Sequence, residues 1–226
     1  MTVGFCIKTR QRKVDEATVA AYRTLPVANV SDCMSRMFAG GSKLRPIHNP
    51  TSVLAGPALT VRSRPGDNLM VHHALDVAEP GDVIVVDAGG EHSNAIIGEI
   101  MAGIALKRGI AGIIIYGAIR DAEEIRRMGL PLYATGITHR GPYKDGPGEL
   151  NTVISIEGMI IEPGDLILAD GDGVLCVPFA QTDRILAATQ QKFAAEQVEI
   201  DQISAGTNDR TWVIDTLKAR GCSFTE

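Results

Sequence analysis

Two apolar runs on either side of a helical stretch leave this chain few architectures. "VIVVD" at 83–87 follows the turn "EPGD", and "GIAGIIIYGAI" at 109–119 stops abruptly on Arg120-Asp121. Short, continuous β-branched runs of this kind read as buried strands of a parallel-type sheet. Between them "AIIGEIMAGIALKRG" has helix-like spacing. Lys107 and Arg108 fall in its last turn and Gly109 just past it, where the helix dipole and a left-handed stop favour them. Strand, helix and strand in that order form a β-α-β unit.

The rest of the chain extends the pattern. "VDEATVAAYRTL" reads as an amphipathic helix, and "NVSDCMSRMFAGG" as a short second one, with Ser31 or Asp32 as its cap and Gly40-Gly41 as its stop. "VLAGPALTVRSRPGD" reads as a strand and "DNLMVHHALDVA" as a helix; "DAEEIRRM" opens another helix after Arg120. A Gly- and Pro-rich loop, "GITHRGPYKDGPGELN", comes next, then "EPGDLILADGDGVLCVP", a second turn and strand. A long helix, "TDRILAATQQKFAAEQVEIDQI", and a short tail with Trp212 complete the chain. The two "EPGD" segments, at 79–82 and 162–165, are structural turns, because Pro sets φ and Gly supplies a positive φ. The expectation is an α/β fold in a single domain, 1–226, with a core at about 27–180, and a C-terminal helix and tail at 181–226.

Composition removes several function classes. With 22 basic and 27 acidic residues the formal net charge is -5, and aromatic residues make up 4%. Neither a phosphate-backbone footprint nor a base-stacking platform is expected, so nucleic acid is not an expected partner. Cys6, Cys33, Cys176 and Cys222 are scattered and form no metal-knuckle pair, which suits a reducing cytosol. No apolar stretch approaches a bilayer span, and the N-terminus becomes charged too early for a signal peptide. A cytoplasmic protein without a membrane partner is the expectation.

Several motifs have bland readings. "VIVVDAGGEHSN" lacks the third glycine and the later acidic residue of a dinucleotide fingerprint, and reads as a tight turn. Asp170-Gly171-Asp172-Gly173 lacks the closing glutamate of a calcium loop and also reads as a turn. His72 and His73 lie on a helix about 100° apart, so they read as core or rim residues rather than as one metal site. Arg64, Pro65, Gly66, Asp67, Asn68, His139 and Arg140 are further pocket candidates, the last two as a substrate lid.

Asp121 has two readings. Followed by Glu124, it fits a capping-box variant at the start of a helix. The alternative is chemistry. Glu99 begins the preceding helix, and Glu99-x20-Arg120-Asp121 spans one helix plus one strand. In a β-α-β unit the start of the helix and the end of the next strand lie on the same side of the sheet, the side where open α/β sheets bind ligands. Glu99, Arg120 and Asp121 can therefore converge, and two carboxylates beside a guanidinium suit a hard cation and an anionic substrate. Gly98 allows a close approach, and the amides of Ile100 and Met101 can hold a carboxylate.

These residues, within "GEIMAGIALKRGIAGIIIYGAIRDAEEIRRMGLPLYA" and "GMIIEPGDLILADGDGVLCVP", resemble the class II 4-hydroxy-4-methyl-2-oxoglutarate / 4-carboxy-4-hydroxy-2-oxoadipate aldolases. That family shares its fold with the regulator of ribonuclease E activity A, and the likeness runs from about Val27 to the C-terminal helix. The resemblance implies an αββα sandwich of swivelling-domain topology with helical N- and C-terminal arms, assembled as a homotrimer or homohexamer. It implies that Asp121 ligates Mg²⁺ or Mn²⁺, that Glu99 holds the ion through water, and that Arg120 contacts the oxo or hydroxyl oxygen of an oxo acid. Gly98 and the amides of Ile100 and Met101 would bind the substrate, and Glu196, or else Glu199, would reach in from a neighbouring subunit. Glu99 stands where the aldolases commonly carry aspartate, and non-enzymatic regulators are expected to lack the acidic group. The implied reaction is a retro-aldol cleavage yielding pyruvate and a second oxo acid, late in aromatic-acid catabolism, with oxaloacetate decarboxylation as a side activity. A Schiff-base mechanism is disfavoured, because the seven lysines all sit in polar or helix-end contexts. The rival reading is a non-catalytic regulator that binds an RNA-degrading enzyme.

Overall fold

A computed structural model describes residues 3–225. They fall into two compact units, which meet between Thr189 and Gln190. The first opens with β1 (Cys6–Ile7), α1 (Glu16–Tyr22), α2 (Val27–Cys33), β2 (Arg45–Pro46) and β3 (Leu54–Ser63). It continues with α3 (Leu69–Val77), β4 (Val83–Asp87), β5 (Ala95–Ile97), α4 (Glu99–Lys107), β6 (Gly112–Ile119), α5 (Ala122–Met128) and β7 (Leu132–Ile137). After these come β8 (Gly148–Leu150), β9 (Ile154–Ile156), β10 (Met159–Ile161), β11 (Leu166–Ala169), β12 (Val174–Val177) and the start of α6 (Thr182–Ala205).

Strands β3, β4, β6 and β7 run parallel as neighbours, with Val85 opposite Thr60 on one side and Ile114 on the other. The period of two in their sequences divides the core. Ile84, Val86, Ile113 and Ile115 face α3, α4 and α5, meeting Val71, Leu75, Ala102 and Ile125. Val83, Val85, Ile114 and Tyr133 face the other way, onto a second β layer that contributes Ile154, Met159, Ile167 and Cys176. Strand β3 joins the layers: its second half pairs with β4, and its first half pairs antiparallel with β11, which forms a hairpin with β12. Helix α2 packs against β12, completing the expected αββα order.

Each "EPGD" turn is built alike. Asp82 accepts the Glu79 amide at 2.9 Å and Asp165 accepts that of Glu162 at 3.0 Å, while Gly81 and Gly164 take φ of +87° and +88°. Asp82 is fully buried and clasps Arg10 through both carboxylate oxygens, so these aspartates are structural.

Three local expectations change. The helix-like segment from Ala95 begins as strand β5, paired with the end of β6, and becomes helical only at Glu99. Ser31 and Asp32 lie inside α2, whose N-cap is Pro26, because Pro fixes the extended φ that a helix entry needs. The hairpin β9–β10 turns on Glu157-Gly158, which lie at positive φ, and had no counterpart in the sequence reading.

The second unit holds the rest of α6 and α7 (Thr211–Ala219), a helix where the sequence suggested only a tail. Val198, Ile200, Ile203, Trp212 and Ile214 are exposed on it. No helix among the described residues is long and apolar enough to cross a membrane.

Candidate active site

Because β3, β4 and β6 are parallel, their C-terminal ends share one edge of the sheet. Helices α3, α4 and α5 start there, following β3, β5 and β6. Their N-cap residues are Asn68, Gly98 and Asp121, and none makes a side-chain cap to its own helix. Three helix starts whose cap positions are turned to other uses mark this edge.

Asp121 corrects the capping-box expectation. Its backbone is left-handed, with φ +56° and ψ +38°, whereas a capping residue is normally extended. That conformation swings the carboxylate away from α5. Its Oδ2 instead accepts the amide of Glu99, at the start of α4, at 3.1 Å and lies 3.5 Å from Arg120 Nε. Glu124 pairs with Arg127 and takes no part. A non-glycine residue at positive φ is strained, and such strain gathers at functional positions.

Gly98 makes the approach possible. A Cβ there would overlap Asp121 Oδ2 outright and stand 3.0 Å from Arg120 Nε. The first backbone bond of α4 runs from Ala102 N to Gly98 O, so the Ile100 and Met101 amides precede the helical ladder and face the positive end of its dipole. Asp121 and Arg120 keep 34% and 42% side-chain exposure, which leaves the carboxylate open lone pairs and the guanidinium free donors.

Beside this corner lies a cavity of about 260 Å³, whose walls include Gly98, Ile100, Met101 and Arg120, with Ile96 and Ile97 as an apolar floor. Glu99 and Asp121 adjoin it through Gly98 and Arg120 without lining it. Asn68, His72, Gly141, Pro142 and Lys144 close the opposite side. His72 therefore belongs to a pocket wall, while His73 lines a separate hollow with Arg10 and Glu79, and the two rings diverge as their spacing requires. Burial, reinforced by Lys144 and opposed by Asp76, holds the His72 imidazole below its ordinary value of 6.5. The sequence reading passed over Lys144, an exposed residue on a glycine-rich loop, and no local signal placed it at the pocket.

Of the other pocket candidates, Asp67 is fully buried and accepts the amides of Leu69, Asp145 and Gly146. It thereby ties two loops together. Arg64 reaches Asp67 at 3.3 Å and stacks over Tyr143. Arg140 contributes its carbonyl to the Ala95 amide, and neither it nor His139 lines the cavity. Glu196 belongs to the second unit, where it pairs with Lys192 at 2.7 Å.

Among the described residues no three His, Cys, Asp or Glu side chains converge as a metal cage. Asp121 with Glu99 nearby suits a hydrated hard cation, since Mg²⁺ commonly uses one or two carboxylates and keeps several waters.

An open parallel sheet with a carboxylate, a guanidinium and a free helix start at its C-terminal edge defines an anion-binding α/β protein. A family model described as RraA-like, aldolase/RraA, matches residues 27–176, and the chain belongs to this family. A protein of Halalkalibacterium halodurans, provisionally named 4-hydroxy-4-methyl-2-oxoglutarate aldolase, is 38% identical over 82% of this chain and 88% of its own length. One from Thermus thermophilus, named 4-hydroxy-4-methyl-2-oxoglutarate aldolase, is 37% identical over 50% of this chain and 68% of its own. The solved structure of the RNA-processing inhibitor RraA from Thermus thermophilus superposes with a TM-score of 0.63 at 31% identity, covering 68% of this chain and 92% of that one.

Proposed function

We propose that this protein is a divalent-cation-dependent aldolase. It cleaves a 4-hydroxy-2-oxo di- or tricarboxylate, such as 4-hydroxy-4-methyl-2-oxoglutarate or 4-carboxy-4-hydroxy-2-oxoadipate, to pyruvate and a second oxo acid. The observation that carries the reading is the Asp121 carboxylate, turned from its own helix to the start of α4 beside Arg120. The names of the two relatives supply the substrate class.

Asp121 would hold Mg²⁺ or Mn²⁺, with Glu99 reaching it through water, and the ion would supply Lewis acidity at the oxo group. The chain's own groups account for the rest. The Ile100 and Met101 amides bind the C1 carboxylate at the positive end of α4. Arg120 donates to the C2 oxo oxygen. As the 4-hydroxyl loses its proton the C3–C4 bond breaks, and its electrons move to the C2 oxygen, where Arg120 offsets the new charge. Protonation at C3 then gives pyruvate. Ile96, Ile97 and Met101 keep one wall dry, which strengthens these polar contacts. Oxaloacetate decarboxylation passes through the same enolate and is the expected side activity. The exposed apolar residues of the second unit favour assembly with further copies, as a trimer or hexamer in which Glu196 could serve a neighbouring site.

Pyruvate release from 4-hydroxy-4-methyl-2-oxoglutarate, coupled to lactate dehydrogenase, tests the proposal. Turnover with Mg²⁺ that EDTA abolishes is expected. The likeness to the Thermus RNA-processing inhibitor favours a second reading, a non-catalytic binder of an RNA-degrading enzyme. No turnover of this substrate or of oxaloacetate with either metal would make that reading the better one.

A further inference from the structure

Asn68 occupies the N-cap of α3, a position where asparagine usually accepts an amide of its own helix. Here it does not. Asp67 takes the Leu69 amide instead, and the Asn68 side chain turns to the cavity wall at 2% exposure. Its Nδ2 donates to the Ile96 carbonyl at 2.8 Å and approaches Met101 Sδ at 3.3 Å. Those contacts identify the amide nitrogen, so the other end is the oxygen, and Oδ1 is buried without a partner. Leaving a buried acceptor unpaired is costly, and such a group calls for an explanation. Among the described residues two other side-chain atoms share this condition, Tyr133 Oη and Asn151 Oδ1, and neither residue lines this cavity.

The rest of the wall is chemically one-sided. Arg120, Lys144 and the amides of Ile100 and Met101 are all donors, matched to carboxylate and oxo oxygens. A hydroxy-oxo acid at neutral pH has one kind of donor to offer in return, its hydroxyl. We infer that Asn68 Oδ1 accepts the ligand's hydroxyl and selects 4-hydroxy-2-oxo acids over analogues without a donor at that carbon. The identity of the ligand rests on the function proposed above. Asn68 acts here on which ligand is held, as a specificity residue, and a site built to bond a hydroxyl rejects compounds that lack one.

Equilibrium binding by titration calorimetry tests this, without divalent cation so that metal-dependent cleavage does not intervene. The probes are 4-hydroxy-4-methyl-2-oxoglutarate, its 4-deoxy analogue and its 4-fluoro analogue. The native protein should bind the hydroxylated acid roughly tenfold more tightly than either analogue, the scale of one hydrogen bond. Asn68→Ala and Asn68→Ser should bring the ratio close to one. A ratio unchanged in these variants would reduce Asn68 to a support for Ile96 and overturn the inference. So would a fluoro analogue that binds like the hydroxylated acid, absence of preference in the native protein, or no binding of any probe. The fluoro comparison needs no variant, so it decides the matter even if Asn68→Ala fails to fold. A clear preference without pyruvate release in the presence of Mg²⁺ would refute the aldolase reading and leave the Asn68 assignment standing.

Discussion

Two aspartates begin helices in this protein, and they do opposite things. Asp15 has an extended backbone at the start of α1 and accepts the Thr18 amide at 2.7 Å, as an N-cap should. Asp121 stands at the same position on α5, but its left-handed backbone sends the carboxylate to another helix. One carboxylate finishes its own helix, and the other leaves α5 uncapped to complete a corner with Gly98 and Arg120. Residue type and helical position are shared, so the difference lies in φ and in what the neighbouring helix start allows.

The comparison breaks most visibly at Asp121. Asn caps and tolerates left-handed backbone about as well as Asp, so Asp121→Asn should melt within a degree or two of the native protein. Pyruvate release should fall about 10³-fold, the several kcal/mol of a lost metal ligand. A folded variant with native activity would return Asp121 to a structural role. Next is Gly98→Ala. Its methyl group would push Asp121 and Arg120 apart while touching nothing near Asp15, and a displacement near 1 Å should cost roughly 10²-fold in kcat/KM. The smallest effect belongs to Asp15→Ala, which should leave kcat/KM unchanged and lower the melting midpoint by a few degrees. The Thr18 hydrogen bonds hold the Asp15 carboxyl below its ordinary 3.8. Its stabilising effect is therefore present above pH 3.8 and lost as pH falls through the depressed value. Melting curves of the native protein and Asp15→Ala should converge there; parallel curves would show that the cap bond is not what the variant lost.

Much of the fold could be read from the sequence, because burial on both faces leaves apolar runs at 83–86 and 110–119 and because "EPGD" encodes its own turn. The αββα order itself came with the family resemblance. The nearness of Glu99, Arg120 and Asp121 followed from spacing, since one helix and one strand return the chain to the same edge. The use of Asp121 did not follow. A D-x-x-E signal looks the same whether φ is −81° or +56°. Asn68 and Lys144 were harder still. Asn68 meets Ile96 only in the folded chain, and Lys144 reaches the cavity through loop pairings between Gly66 and Tyr143 and between Asn68 and Tyr143. The β9–β10 hairpin was legible in retrospect: "VISIEGMII" alternates around Glu-Gly, a weaker form of the Asn-Gly turn signal.

The clasp of Asp67 on the amides of Asp145 and Gly146 also bears on timing. With Arg140 tied to Ala95, and Asn94 bonded to the Gly141 carbonyl at 2.6 Å, the segment carrying Pro142 and Lys144 is staked at both ends. A segment held this way is a fixed wall, not the lid suggested by its glycines. Its conformational entropy is surrendered once, when the chain folds, and not again at each encounter. Ligand capture should then proceed at the pace of diffusion and desolvation, with no loop closure to wait for and none to reverse before products leave.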